Sequence, residues 1–186
     1  MVFAYDDFSG QFQPSAPAGV LAQSDIVPNV AYSVETVWHG EATQRLQISG
    51  FEPFQLTSPD LMTGLEELSQ SASMVFRWTP ATAGLDPSVV VVEVRIFDYD
   101  VAHPTDRQEV ARLVRWVSDS EGTITLSGDD VARLPLAGNL MDDVDLFGRW
   151  GELTVARHQL RKVPVEGGDM VVDFVHAVSV PINVGE

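Results

Sequence analysis

Cysteine is absent from the chain. That one absence removes disulfides, thiolate zinc sites and cysteine nucleophiles together. Basic residues are scarce: 11 Lys and Arg stand against 27 Asp and Glu, for a net charge of −16, and Lys162 is the single lysine. A chain so acidic is repelled by polyphosphates and by anionic lipid, so nucleic acid and an anionic membrane surface are excluded as expected partners. Long apolar runs are missing too. The longest aliphatic run, Val89-Val90-Val91-Val92, suits a strand and falls far short of the roughly 18 residues a spanning helix needs. The N-terminal MVFAYDDFSG lacks the basic region and apolar stretch of a secretory signal. The expectation is an exported protein whose signal has been removed, with a cytoplasmic location as the alternative.

What remains is an ordinary globular composition in 186 residues, 45% hydrophobic and 20% charged, enough for a real core without covalent staples. Apolar residues recur with a period of two. Val30, Tyr32, Val34 and Trp38 alternate with Ser33 and Glu35, and Leu46 with Ile48, then Phe54 with Leu56, give short strands. Met74, Phe76 and Trp78 share one face, as do Val90, Val92, Val94 and Ile96. Glu109 to Val117 is another strand, with Val110, Val114 and Trp116 in phase, and Ser118 to Gly122 looks like a hairpin loop into Thr123–Leu126. Glu152–Gln159 and Met170–Val180 complete the set. Beta-branched and aromatic residues dominate these segments, as a pleated half-buried surface prefers.

Helix signals are few. Asp60 to Ser69 carries a leucine stripe for two turns. Ser127 to Leu134 suits one or two, with Ser127 or Asp129 as cap and Pro135 as stop. About ten short strands separated by turn residues predict an all-β, immunoglobulin-like antiparallel β-sandwich with one or two short helical turns. The expected organisation is a single unit over 1–186, with a subdivision into 1–69 and 70–186 as the variant.

Several segments together carry a resemblance: Met74-Val-Phe-Arg-Trp-Thr-Pro80, Ser88-Val-Val-Val-Val-Glu-Val94, Val110-Ala-Arg-Leu-Val114, Asp119-Ser-Glu-Gly-Thr-Ile-Thr-Leu126, Asp130-Val-Ala-Arg-Leu-Pro135 and Gly151-Glu-Leu-Thr-Val-Ala-Arg157. Their order resembles the C-terminal β-sandwich of uncharacterised lipoproteins and surface proteins of myxobacteria and related deltaproteobacteria, over roughly residues 70 to 180. A cysteine often found before the hairpin in that family is replaced here by the Arg115-Trp116 stretch, and there is no lipid-attachment cysteine. The resemblance implies an exported, cell-envelope protein and supplies no catalytic residues.

Candidate chemistry is sparse. Asp98, Asp100 and Asp106, near His103, form an acidic strand end; Asp142 and Asp145 lie in a second oxygen-rich loop. Calcium is the cation such oxygens would collect, although turn chemistry explains both segments without a metal. Asp129-Asp130 suits a helix N-terminus. The four histidines, at 39, 103, 158 and 176, show no metal-binding spacing, and His176 falls in phase with Phe174 and Val178, as a core or interface residue would. No Gly-x-Ser-x-Gly elbow or phosphate-binding glycine motif is present, so no catalytic residue is assigned. Trp150, in a glycine-flanked segment, and Trp38 are the candidates for stacking on a sugar, against the plainer reading that tryptophans fill a core.

The function expected from these features is a non-catalytic exported or cell-envelope module acting through protein–protein contacts or self-assembly. A carbohydrate-binding module, with or without calcium, is the alternative, and a hydrolase the third.

Overall fold

The computed structural model describes residues 3–6, 11–14, 32–38, 41–48, 54–61, 67–81, 88–98, 108–138, 148–165 and 168–186. The chain is all-β and sandwich-like. It divides into two compact units, Met1–Pro53 with Arg161–Val172, and Phe54–Leu160 with Asp173–Glu186.

In the first unit β1 (Phe3–Asp6) pairs antiparallel with β2 (Gln11–Pro14). There β3 (Tyr32–Trp38) pairs antiparallel with β4 (Glu41–Ile48), with a register shift between Thr36 and Trp38. The alternation of Tyr32, Val34 and Trp38 thus does belong to a strand.

The second unit holds two sheets. A three-stranded sheet is built from β5 (Leu56–Ser58), β7 (Met74–Trp78) and β10 (Thr123–Leu126), with β7 central. A five-stranded sheet runs in the order β6 (Glu67–Ser69), β12 (Gly168–Gly185), β11 (Arg149–Val165), β8 (Ser88–Asp98), β9 (Gln108–Ser118). Strand β6 is parallel to β12, while β11–β8 and β8–β9 are antiparallel. The inner faces close on one core. Phe76 and Trp78 come from β7, Leu126 from β10, Val90, Val92, Val94 and Ile96 from β8, Leu153 and Val155 from β11, and Ile182 and Val184 from β12. The four alternate residues of β8 are wholly inaccessible to water. Removing each such side chain from water contributes about 1.5–3 kcal/mol.

Two local expectations are corrected. The leucine stripe over Asp60–Ser69 does not make a helix across its length: residues 67–69 form β6, with Leu68 opposite Val184 and fully buried. Pairing with β12 and burial of Leu68 outweigh a weak helical preference in a segment ending in Ser69-Gln-Ser71. Residues 62–66 of that stripe lie outside the described residues. Nor is Ser118–Gly122 a hairpin loop. A 3-10 turn over Asp119–Glu121 closes on Gly122 in the left-handed conformation, φ 64°, and carries the chain from β9 in one sheet to β10 in the other. The inward pull on Asp119, which is buried, accounts for the crossing. The helical turn expected after Ser127 is present as α1 (Gly128–Val131), with Ser127 and Asp130 forming a reciprocal capping box.

Candidate interaction surface

The sequence-predicted site residues do not converge among the described residues. Asp98 is the last residue of β8 and pairs with Arg149, Oδ1 to Nε 3.2 Å. Asp100, Asp106, Asp142 and Asp145 lie outside the described residues. No group of three or more potential metal ligands is found among the described residues. Trp38 ends β3 and its side chain is outside what is described. Trp150 belongs to β11 rather than to a loop. It is 4% exposed and stacks on Phe97 with ring centroids 4.5 Å apart, in a small apolar cluster apart from the main core. Its indole face is therefore occupied by another ring.

Polar chemistry is concentrated in a buried network. Arg157, on the inner face of β11, donates from Nε to Asp119 Oδ1 (3.0 Å) and from Nη2 to the carbonyl of Thr79. The other carboxylate oxygen of Asp119 accepts from the Ala81 amide (2.8 Å) and the Ser88 hydroxyl (3.1 Å). The Trp78 indole donates to the Asp119 carbonyl. The guanidinium lies over the Phe54 ring, and the Phe54 amide donates to His176 Nδ1 at 2.8 Å. Burial, and then the positive charge of Arg157, push the His176 pKa down from its ordinary value. With Nδ1 as acceptor, the imidazole is held neutral with its proton on Nε2. These bonds join the segment after β7, the start of β8, the 3-10 turn and β11, and their chemistry is that of a clamp. On the outer face, His158 Nδ1 lies 2.8 Å from Asp173 Oδ2, as an accessible pair.

The feature that sequence reasoning placed only in part is β9. Its apolar residues occupy both phases. Ala111, Leu113 and Val117 pack against the core, while Val114 and Trp116 face outward and are 41% and 71% exposed; Val110, at the register shift between β8 and β9, is 39% exposed. Trp116 stands opposite Val91 of β8, which in turn stands opposite Ala156 of β11, so an apolar row crosses three strands. Strand β9 ends the sheet order, with β8 as its one strand partner among the described residues. Eleven residues of backbone therefore present their other edge unpaired by any described strand.

Among the described residues, the arginines around this edge are all in ion pairs. Arg112 pairs with Glu93, Arg95 with Glu109 and Glu152, and Arg115 with Asp130. The guanidinium of Arg115, then the Ser127 hydroxyl, hold the Asp130 carboxyl below the usual carboxylate range. Three cations thus meet four carboxylates here, in a molecule of net charge −16. The edge of this eleven-residue strand carries apolar residues on both faces, although Glu109, Arg112, Arg115 and the register shift at Val110 are features of the kind that blunt an open edge. The signal in the sequence was the doubled period of Val110 to Val117, whose apolar residues fill both phases.

The chain matches no family model, no curated protein and no solved structure in these comparisons, so the reading of its function rests on its own geometry.

Proposed function

We propose that the chain is a non-catalytic binding module that acts through protein–protein contacts made by β9. The observation that carries this reading is Trp116, a tryptophan 71% exposed on an edge strand beside Val110 and Val114. Large aromatic side chains left in water on a rigid strand are favoured as binding anchors, and an unpaired edge offers backbone hydrogen bonds to a partner strand. The three arginines around this edge support the same reading, since they offset much of the local negative charge where a partner would approach. We place the module in the exported or cell-envelope class, which the acidic, cysteine-free composition and the resemblance of residues 70 to 180 support.

A photoreactive side chain at position 116 tests the proposal in the organism that makes the protein. It is expected to yield protein adducts, whereas the same group at the exposed Ser120 yields none. Absence of any protein adduct at position 116 overturns the reading. Carbohydrate stacking on Trp116 is the second reading, favoured by that indole's exposure on a sheet surface. A glycan that quenches the emission of wild type and not of Trp116→Phe would select it.

A further inference from the structure

We infer that His176 is the catch of an acid-sensitive latch: its Nδ1 pins Phe54 across the core, and a proton on that nitrogen releases the segment from Phe54 through β5. The inference is independent of the reading of β9 and goes beyond it.

The catch joins two sheets. His176 lies on β12 of the five-stranded sheet, in phase with Val178 and Val180, which pack against the core. Phe54 opens the second unit and leads into β5, at the edge of the three-stranded sheet. The Phe54 amide donates to His176 Nδ1 at 2.8 Å, across 122 positions of sequence. The remaining backbone hold on this segment is slight among the described residues. Strand β5 has three residues and shifts register against β7 between Leu56 and Ser58. A further bond runs from the Thr79 amide to the Gln55 carbonyl at 3.2 Å.

A backbone amide can only donate, so the bond to His176 exists only while Nδ1 keeps its lone pair. Protonation makes both ring nitrogens donors. Two N–H groups then face each other, and the amide of a residue 3% exposed loses its acceptor. Charge acts in the same direction. Arg157 of β11 sets its guanidinium over the Phe54 ring at 5.1 Å, and the same ring meets the imidazole edge-on at 6.4 Å. A cationic imidazole therefore brings a second positive charge to this ring. Among the described residues, the charged groups on this side of the core are Arg157 and Asp119 of the 3-10 turn, already joined to each other. Both Asp119 oxygens are engaged, and β7 contributes Trp78 here, with Arg77 on its outward face.

Release is local. The long ladders between β11 and β8 and between β8 and β9 do not pass through residue 54. Opening exposes Phe54, Leu56 and one face of Trp78 while the five-stranded sheet stays closed, as a low-stability segment at the edge of a stable core allows.

Amide hydrogen exchange followed by NMR on the purified chain tests the latch. In the open form His176 titrates near the ordinary value of about 6.5, so protons favour opening below it. Corrected for intrinsic exchange rates, protection of the Phe54 and Thr79 amides is expected to fall about tenfold from pH 7.5 to pH 5.5. Protection of the Val92 and Val155 amides, in the central strands, is expected to stay constant. A scalar coupling across the hydrogen bond, between the Phe54 amide nitrogen and His176 Nδ1, is expected at pH 7.5. His176→Gln supplies an acceptor that does not titrate, and its Phe54 and Thr79 amides are expected to be equally protected at both pH values.

Absence of that coupling at pH 7.5, equal wild-type protection at both pH values, or the same loss in His176→Gln overturns the inference. A loss shared by Val92 and Val155 also overturns it, since the transition is then global unfolding. Should His176→Gln fail to fold, the coupling and the wild-type contrast between Thr79 and Val92 still decide.

Discussion

Arg157 and Asp119 form an ion pair inside the protein, with Nη2 and Oδ1 2.9 Å apart and side chains 2% and 3% exposed. The carboxylate is further held by the Ala81 amide and the Ser88 hydroxyl, so neither of its oxygens is left bare. Withdrawing two charges from water costs several kcal/mol each, and only such complete pairing offsets that cost. The network therefore specifies where the 3-10 turn docks more than it adds to net stability.

Breaking one half of this pair is expected to be severe. Arg157→Met strands a buried carboxylate and is expected to cost about 3–5 kcal/mol in urea denaturation. The double variant Arg157→Met with Asp119→Asn is expected to cost less than the single one, because no uncompensated charge remains while the amide oxygen still accepts from Ala81.

Acid acts through His176. Its folded pKa is depressed, so between the folded and unfolded values the unfolded chain binds more protons and stability rises with pH. Melting temperature is expected to fall as pH is lowered from about 7 through the ordinary histidine value near 6.5, levelling once pH passes the folded value. His176→Gln keeps an acceptor for the Phe54 amide and is expected to flatten that slope. An equal slope in the variant would place its source elsewhere.

Asp130 acts lower on the pH scale. Its pKa is lowered chiefly by Arg115 and then by Ser127, so its contribution is complete above the unfolded value near 4 and is lost as pH falls through the folded one. Arg115→Gln is expected to reduce the stability lost between neutral pH and about pH 3, followed by denaturant midpoints across that range. Ser127→Ala removes the cap on α1 and is expected to cost about 1 kcal/mol at neutral pH.

Two aromatic residues of opposite exposure give the clearest contrast. Phe76 is fully buried, and Phe76→Ala is expected to cost about 3–5 kcal/mol. Trp116 is 71% exposed, and Trp116→Ala is expected to change stability by no more than about 0.5 kcal/mol. Its loss should also remove a red-shifted component of the tryptophan emission, because Trp116 is 71% exposed whereas Trp78 and Trp150 are each 4% exposed.

Strand alternation was legible wherever one face is apolar and the other polar. Met74, Phe76 and Trp78 point inward as their spacing predicts, with Arg77 outward. The helical turn after Ser127 was legible as well, with Ser127 as one of two candidate caps, while the reciprocal bond from Asp130 appears only in the structure. Three features were not. In β9 both phases are apolar, so spacing alone does not say which one faces the core. Trp150 sits beside Gly151 and reads as a loop residue, yet that glycine lets β11 approach its neighbour. A Cβ there would lie 2.5 Å from the Ile182 carbonyl oxygen. The leucines of Asp60–Ser69 fit a helical stripe, and a parallel partner strand overrode it at Leu68.

By itself, the sequence determined that the protein is built from strands, that it has no thiol chemistry, and that it carries strong negative charge. Each of these follows from residue type and local period, which need no distant partner. Tertiary structure decided that Asp119 turns inward to Arg157, that Trp150 stacks on Phe97 instead of facing solvent, and that of Trp78, Trp116 and Trp150 it is Trp116 that is left in water. These outcomes depend on contacts between residues 38, 53 and more positions apart, and on where the sheet ends at β9. Local spacing carries no record of either.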